Sequence, residues 1–579
     1  MAMILKRVNR PRDLKWYQAG ALLYGDWGTS KAYVLGIAFA LSGHASWFFL
    51  GLMAVLTVVV GICYMIICKL FPDGGGVYSA VKSRSQMLAV VGALLLVADY
   101  TVTASLSSLD AFHYFNVPHP EWWAIGSILL IGAINWIGPA KVSSGAALVA
   151  ILASVSAFVL FIFTLPHLPH VDLKWPTGGL PHNWSVFVGI VLALSGVEAV
   201  ANMTGIMVKP VEKTSRRAIF PVLLEVALLT FLLGVAMNAI PGLVPGEHTE
   251  DMLRALGEHY IGPWYGVVIS ITFGLLLLSA TNTAVTALVN IQFSLAKDRE
   301  LPAIFSKLNH FGMPWLPLCI AVVIPISVLL FENDMVGLAA LYAVGVVGAI
   351  SMNLVTCATN FKLPMKKGER ALLAVAAVVL VFIEITICIQ KLNAFIFVTV
   401  IITGGLVLRQ LAKMVTPAPI SIPMGEGTIN VLTLEEAVEL ETLYHGSTLV
   451  AMKYMNQNLI EEAAMRAIAL GENSVYLGYV EEAPESSLLV DEVEPSREAL
   501  EVLIRAQQEF EKKGLTAVPV WQMGPDPGKL LSTAARELRV KTVLMGVTKK
   551  SALVNMLRGE VFRALARRLP SDIRLVVTG

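Results

Sequence analysis

Twelve runs of roughly 20 mostly apolar residues fill the chain between residues 18 and 411, and each is long enough to cross the hydrocarbon core of a bilayer as a helix. They fall at 18–41, 47–70, 87–113, 121–138, 144–164, 185–206, 218–240, 264–295, 314–331, 335–358, 370–389 and 393–411. Such a pattern predicts a polytopic α-helical membrane protein. The connecting segments alternate in charge. One set of loops and flanks carries 22 Lys and Arg, among them Arg12, Lys69, Lys82, Lys213, Arg217, Lys297, Lys362 and Arg409, against Lys174, Arg254 and Lys391 in the other. Lys and Arg accumulate on the cytoplasmic side of short loops, so this bias predicts twelve spans with both termini cytoplasmic.

The composition agrees. With 56% hydrophobic residues and a mean hydropathy of +0.69, most of the chain belongs in lipid. A formal net charge of +1 leaves no basic footprint, and no nucleic-acid partner is expected. Cys63, Cys68, Cys319, Cys357 and Cys388 lie in or beside apolar runs without zinc-type spacing, which predicts buried thiols. The opening MAMILKRVNRPRDLK lacks the short apolar core and cleavage site of a signal peptide, so nothing is expected to be removed.

Beyond Val415 the pattern changes. Residues 1–415 read as the membrane domain and 416–428, opening TPAPISIPMGEG, as a Pro/Gly linker. Residues 429–579 read as a cytoplasmic α/β domain. Within it STLVAMKYM, VYLGYV, LTAVPVW, KTVLMGV and IRLVV alternate with helical patterns, which specifies a parallel sheet with helices on its faces. The stretch INVLTLEEAVELETLY (429–444) is a candidate extra strand and helix coupling this domain to the membrane part.

Ionisable residues inside spans are costly and mark function. Here they are Asp26, Lys31, Asp99, Glu198, Glu225 and Glu384. Asp26 lies in LLYGDWGTSKAY between Gly25 and Gly28, and Glu198 in LSGVEAVAN, where Gly196 interrupts the sixth span. Glycine breaks at corresponding positions of two halves point to inverted five-helix repeats, with substrate bound where the helices unwind. Backbone exposed in this way is tolerated only around a polar cavity. Asp99 and Thr103, four apart, share one helical face.

These segments resemble a known family. FPDGGGVYSAV (71–81) is similar to the P-x-GG-x-Y signature of the amino acid, polyamine and organocation (APC) transporters, which have the LeuT fold. LLYGDWGTSKAYVL (22–35) resembles the Y-G-D-I-G-T-S-P-L-Y segment of the Kup potassium-uptake transporters. LLLVADYTVT (94–103) and LSGVEAVAN (194–202) resemble the matching segments of the KimA-like potassium–proton symporters, which also carry a soluble C-terminal domain. The resemblance implies a LeuT-type 5+5 inverted repeat and potassium uptake by proton-coupled symport across a bacterial inner membrane. It implies a carrier and not an enzyme, with potassium as substrate and no resident cofactor.

Carried onto these residues, the resemblance implies potassium ligands at Asp26, Tyr33, Asp99 and Thr103, with Ser195 in place of a threonine. Glu198 or Asp99 would carry the proton, since a desolvated carboxyl beside another acid readily holds one. Lys31 departs from the Kup pattern, which has proline there; the ammonium either neutralises a site carboxylate or pairs with another acid. An amino-acid or polyamine permease is the alternative, although carriers that bind a substrate carboxylate present a Gly-Ser-Gly type break where this chain has an aspartate. A nontransporting sensor is a third reading, which the full set of intramembrane acids disfavours. The C-terminal domain resembles the universal stress protein fold. In its GVTKKSALVNMLRGEV loop Gly546 and Gly559 remain, while Lys549 and Glu560 replace a glycine and a hydroxyl residue of the phosphate-binding pattern. Cyclic di-AMP or another adenine nucleotide at this domain, and a homodimer formed through it, are implied by the resemblance alone.

Overall fold

The structure, a computed structural model, describes residues 6–7, 12–74, 76–82, 84–137, 143–171, 173–194, 196–309, 311–415, 429–441, 443–444, 446–483, 492–493, 495–524, 526–546 and 561–578. It divides into two compact units: Pro11–Ser306 with Trp315–Lys413, and Met414–Gly579 with Met1–Arg10 and Lys307–Pro314. The proposed linker, 416–428, lies outside the described residues.

The larger unit is helical. Its elements are α1 (Trp16–Trp27), α2 (Ser30–Ser42), α3 (Ser46–Leu70), α4 (Val77–Lys82), α5 (Gln86–Tyr114), α6 (Pro120–Ile137), α7 (Ser143–Thr164), α8 (Leu180–Gly189) and α9 (Val197–Asn202). There follow α10 (Val211–Met237), α11 (Met252–Tyr260), α12 (Pro263–Lys297), α13 (Trp315–Phe331), α14 (Met335–Thr359), α15 (Lys367–Gln390) and α16 (Leu392–Val415). Among the described residues, eight helical runs are long and apolar enough to cross a membrane, nine if α8 and the bent segment Val191–Ile206 count as one span. The first run, Trp16–Leu70, contains α1, α2 and α3. Side chains that face outward, such as Leu130, Ile151, Val375 and Val400, are apolar and exposed, as lipid-facing positions are.

At the centre stands α5, buried without interruption from Gly92 to Ala111 and packed against α12, α14, α6 and α4. Glycines let neighbouring backbones approach: a Cβ on Gly345 of α14 would lie 2.7 Å from the Asp99 nitrogen. One face of the bundle carries the ion pairs of Arg12 with Asp73, Lys82 with Asp298, Lys69 with Glu369 and Arg409 with Glu300. The opposite face carries α11 and the His248–Asp251 pair. Helix α11 is strongly amphipathic, with Leu253, Leu256 and Tyr260 inward, and too short to have read as a span.

The second unit contains a five-stranded sheet of β1 (Thr448–Ala451), β2 (Ser474–Glu482), β3 (Thr516–Gly524), β4 (Thr542–Gly546) and β5 (Arg574–Thr578). Every pairing is parallel, in the spatial order β3-β2-β1-β4-β5. Helices α18 (Gln457–Ala469), α19 (Arg497–Lys512), α20 (Pro527–Glu537) and α21 (Val561–Arg568) connect or flank the strands, after a one-and-a-half-turn α17 (Leu434–Glu439). Leu449, Tyr476, Val518 and Val543 of the sheet meet Leu531 and Ala535 of α20 and Leu565 of α21 in one core. The stretch 429–444 does not form a full strand: Leu432 makes a single parallel bridge to Val520, and Ala437 of α17 is buried in this same core. Lys6–Arg7 pairs antiparallel with Glu492–Val493.

Candidate functional site

The two interrupted helices meet. Helix α1 stops at Trp27 because the hydroxyls of Thr29 and Ser30 donate to the Asp26 and Trp27 carbonyls and compete with the helical ladder. Gly28 and Thr29 nevertheless keep right-handed helical dihedrals, so the interruption is a two-residue hinge and not an unwound strand. Gly25, expected at the break, lies within α1 one turn earlier, since its neighbours satisfy the ladder there. The second interruption runs from the 3-10 turn Val191–Leu194 into Gly196, at φ +96°, before α9. A Cβ on Gly196 would stand 2.6 Å from the Trp27 nitrogen and 2.8 Å from its Cα. Only glycine permits both that φ and that approach. Ser195 lies outside the described residues.

Around this contact three acids are withdrawn from solvent: Asp26, Asp99 and Glu198, at 6%, 1% and 2% exposure. Asp99 is within Coulombic reach of both Glu198 and Asp26, and Glu198 of Asp26. Thr103 donates to the Asp99 carbonyl at 2.9 Å and reaches its Oδ1 at 3.4 Å, as their shared helical face requires. Glu198, in the first turn of α9, accepts from the Gly196 N–H at 3.3 Å through Oε1. Asp99 Oδ2 and Glu198 Oε2 have no hydrogen-bond partner among the described residues. Tyr33 is buried beside Thr29 and Tyr342, and Tyr64 and Tyr100 also lie in the field of these acids. Free carboxylate oxygens among hydroxyls suit a hard, weakly hydrated cation or a proton.

Lys31 does not join the cluster. Its ammonium donates to both Glu225 oxygens at 2.8 Å and to the Tyr24 hydroxyl at 3.0 Å, and stands 4.8 Å above the Tyr24 ring. Tyr24 itself donates to Glu225 at 3.0 Å. Glu384 also stays apart, on α15 against Gly348 of α14. Two features escaped the sequence reading. The Tyr24–Glu225 partnership is 201 residues apart in sequence and carries no local signal. Asp110 is fully buried on α5 and was legible, since it follows Asp99 by 11 residues, three helical turns, on nearly the same face. In the second unit, Gly546 ends β4 beside Asn456, while Gly559, Lys549 and Glu560 lie outside the described residues.

Comparison with known proteins bears on the region that contains this site. Residues 14–416 match the family described as amino acid permease. The potassium transporter KimA of Bacillus subtilis (strain 168) is 25% identical over 366 residues, covering 57% of this chain and 58% of that protein. The chain thus aligns with less than two thirds of that relative's length. Both helix interruptions, all three clustered acids and the helices from α1 to α16 fall inside the family match. The chain therefore belongs to the amino acid permease family, and the match spans the helical unit that holds the site.

Proposed function

We propose that this chain takes up potassium across a bacterial inner membrane by proton-coupled symport. The observation that carries this reading is the backbone contact of Gly196 with Asp26–Trp27 at the centre of three buried carboxyls. Asp26, Tyr33, Asp99 and Thr103, with Ser195, would supply oxygens to the ion, and Glu198 or Asp99 would exchange the proton. The identity to a potassium transporter supports the choice of ion. The turn of Lys31 toward Glu225 supports it too, since the cluster keeps its negative charge for a cation.

The transport fold in this reading has twelve spans in a LeuT-type 5+5 inverted repeat, with both termini cytoplasmic. Each of the twelve apolar segments is helical, at α1–α2, α3, α5, α6, α7, α8–α9, α10, α12, α13, α14, α15 and α16. The interruptions fall in the first and the sixth, and the Lys/Arg bias gives the orientation. The C-terminal domain is read as universal-stress-protein-like, a seat for cyclic di-AMP or another adenine nucleotide and the contact of a homodimer. Its strand order reverses between β1 and β4, where ligands of open parallel sheets bind, and Gly546 and Asn456 flank that point.

The family's amino-acid transporters favour one alternative, a proton-coupled permease for amino acids or polyamines, because a cationic amine would also suit three carboxyls. Purified protein in liposomes decides between them. Potassium and rubidium uptake under an imposed proton gradient, with no requirement for an amine, is the expected result. Amine accumulation without alkali-cation flux would overturn it.

A further inference from the structure

Toward the far end of α5 stands an acid that the central cluster does not use. Asp110 is fully buried, and neither carboxylate oxygen has a hydrogen-bond partner among the described residues. It lies about 16 Å along the helix from Asp99. The charged groups acting on it are Glu250 and Asp251, both acids, from the segment between α10 and α11. The titratable groups that face it are Tyr33 on α2 and Tyr114 on its own helix, whose hydroxyl is committed to the Ala32 carbonyl at 2.8 Å. Helices α12, α14, α6 and α13 also pack on α5 without adding a charged group to those acting on Asp110. A buried carboxyl with no donor among the described residues and two acidic neighbours is placed to exchange a proton and not to hold a fixed negative charge.

Two partly exposed pairs stand beyond it. His113 Nδ1 lies 2.7 Å from Glu250 Oε2, and His248 Nδ1 lies 2.9 Å from Asp251 Oδ1. Each imidazole is within hydrogen-bond reach of a carboxylate, and an imidazole can accept a proton on one ring nitrogen and give one from the other. Among the described residues no three His, Cys, Asp or Glu converge as metal ligands, so the arrangement is not a chelate. The same segment closes over α2: a Cβ on Gly36 would meet the Thr249 carbonyl at 2.2 Å and that of His248 at 2.5 Å.

We propose that Asp110 is a proton-loading site on the face opposite the N-terminus of α1, supplied through the His113–Glu250 and His248–Asp251 pairs. This rests on the proton-coupled reading above. A proton from bulk water passes by a rim imidazole or carboxylate to one Asp110 oxygen, converting carboxylate to carboxylic acid. Release returns that proton inward, past the Tyr33 hydroxyl, toward Asp26, and no other bond changes.

Two measurements on the full-length protein test it. In infrared difference spectra on a pH step, wild type should show the carbonyl stretch of a protonated carboxyl that Asp110→Asn lacks, whether or not any substrate moves. In liposomes, Asp110→Asn should lower proton-driven rubidium uptake by about a hundredfold or more, the scale of a lost acid–base group, while equilibrium rubidium binding to the purified protein is retained. An unchanged infrared band overturns the proposal, as does its loss with proton-driven uptake unaltered. Should Asp110→Asn fail to fold, the more exposed double variant His113→Gln/His248→Gln should shift the pH profile of uptake, and an unshifted profile overturns the proposal equally. Absence of rubidium flux in wild type is a different outcome: it refutes the transport reading, and the infrared band still reports on Asp110.

Discussion

The Lys31 ammonium lies 2.8 Å from both carboxylate oxygens of Glu225, joining the helix after the first interruption to the middle of α10. Lys31 is wholly buried and Glu225 partly so, at 0% and 17% side-chain exposure, so the ammonium depends on this carboxylate for its counter-charge. A third donation, to Tyr24, engages the remaining ammonium hydrogen and ties α2 back to α1. A cation fixed five residues from Asp26 would otherwise compete with any ion at the cluster. Glu225 removes that competition.

Breaking this pair from one side should be far worse than removing it whole. Lys31→Met alone should cost up to about 3–5 kcal/mol by leaving the partly buried Glu225 with the Tyr24 hydroxyl but no counter-charge. The double variant Lys31→Met/Glu225→Leu should recover most of that loss, read as thermal inactivation in detergent. Equal losses in the single and double variants would show that packing around Lys31, and not charge, sets the stability.

The glycines separate by position. Nothing lies within 4 Å of a Cβ on Gly25, which is inside a helix, so Gly25→Ala should be tolerated and stabilise by about 0.5–1 kcal/mol. Gly196→Ala must strain a φ of +96° and push into the Trp27 backbone. Its backbone strain alone is of order 1–3 kcal/mol, and cation uptake should be lost because the two interruptions can no longer meet. Uptake by Gly196→Ala at the wild-type rate would remove the contact from the mechanism.

That contrast shows what the sequence could yield. Apolar length located the long helices, and short apolar runs between helical patterns located the five strands, whose central members are buried on both faces and so show no two-residue alternation; α4 and α11 are too short to be found by spanning length. The pairing of Asp99 with Thr103 followed from spacing on one helix, and Asp110 could have been found the same way. Of the two glycines that mark the first interruption in the sequence, Gly28 lies in the hinge and Gly25 stays helical, because glycine marks permission to bend, whereas the bend is made by the hydroxyls of Thr29 and Ser30. Lys31–Glu225 and the closing of residues 248–249 on Gly36 join distant segments, and only the folded chain brings them together.

The ligand reading predicts that Asp26→Asn and Asp99→Asn each abolish or greatly weaken rubidium uptake without loss of expression. Each removes a charge and keeps the shape in a site that has no other buried counter-charge among its described neighbours. Glu384→Gln is the control, since Glu384 lies on α15 outside the cluster; it should retain uptake. Wild-type uptake by either aspartate variant would exclude that residue from the ion.

Glu198→Gln separates binding from coupling. Glu198 holds the Gly196 N–H through one oxygen and presents the other without a hydrogen-bond partner, next to the contact that joins the two interrupted helices. Glutamine mimics the protonated form and can keep the bond to Gly196 through its amide oxygen, so the geometry of the interruption should persist. Rubidium binding and rubidium–rubidium exchange should therefore survive, whereas accumulation driven by a pH gradient should not. In wild type, uptake should fall as external pH rises, because a symporter loads its proton from that side and the loaded population shrinks as protons become scarce. In Glu198→Gln that slope should flatten. Asp99→Asn should differ by losing binding as well, since that carboxylate is assigned to the ion. If Glu198→Gln still concentrates rubidium from a proton gradient, the proton travels on Asp99 instead. If neither variant alters the pH slope, proton coupling is wrong and the protein is a uniporter for the same ion.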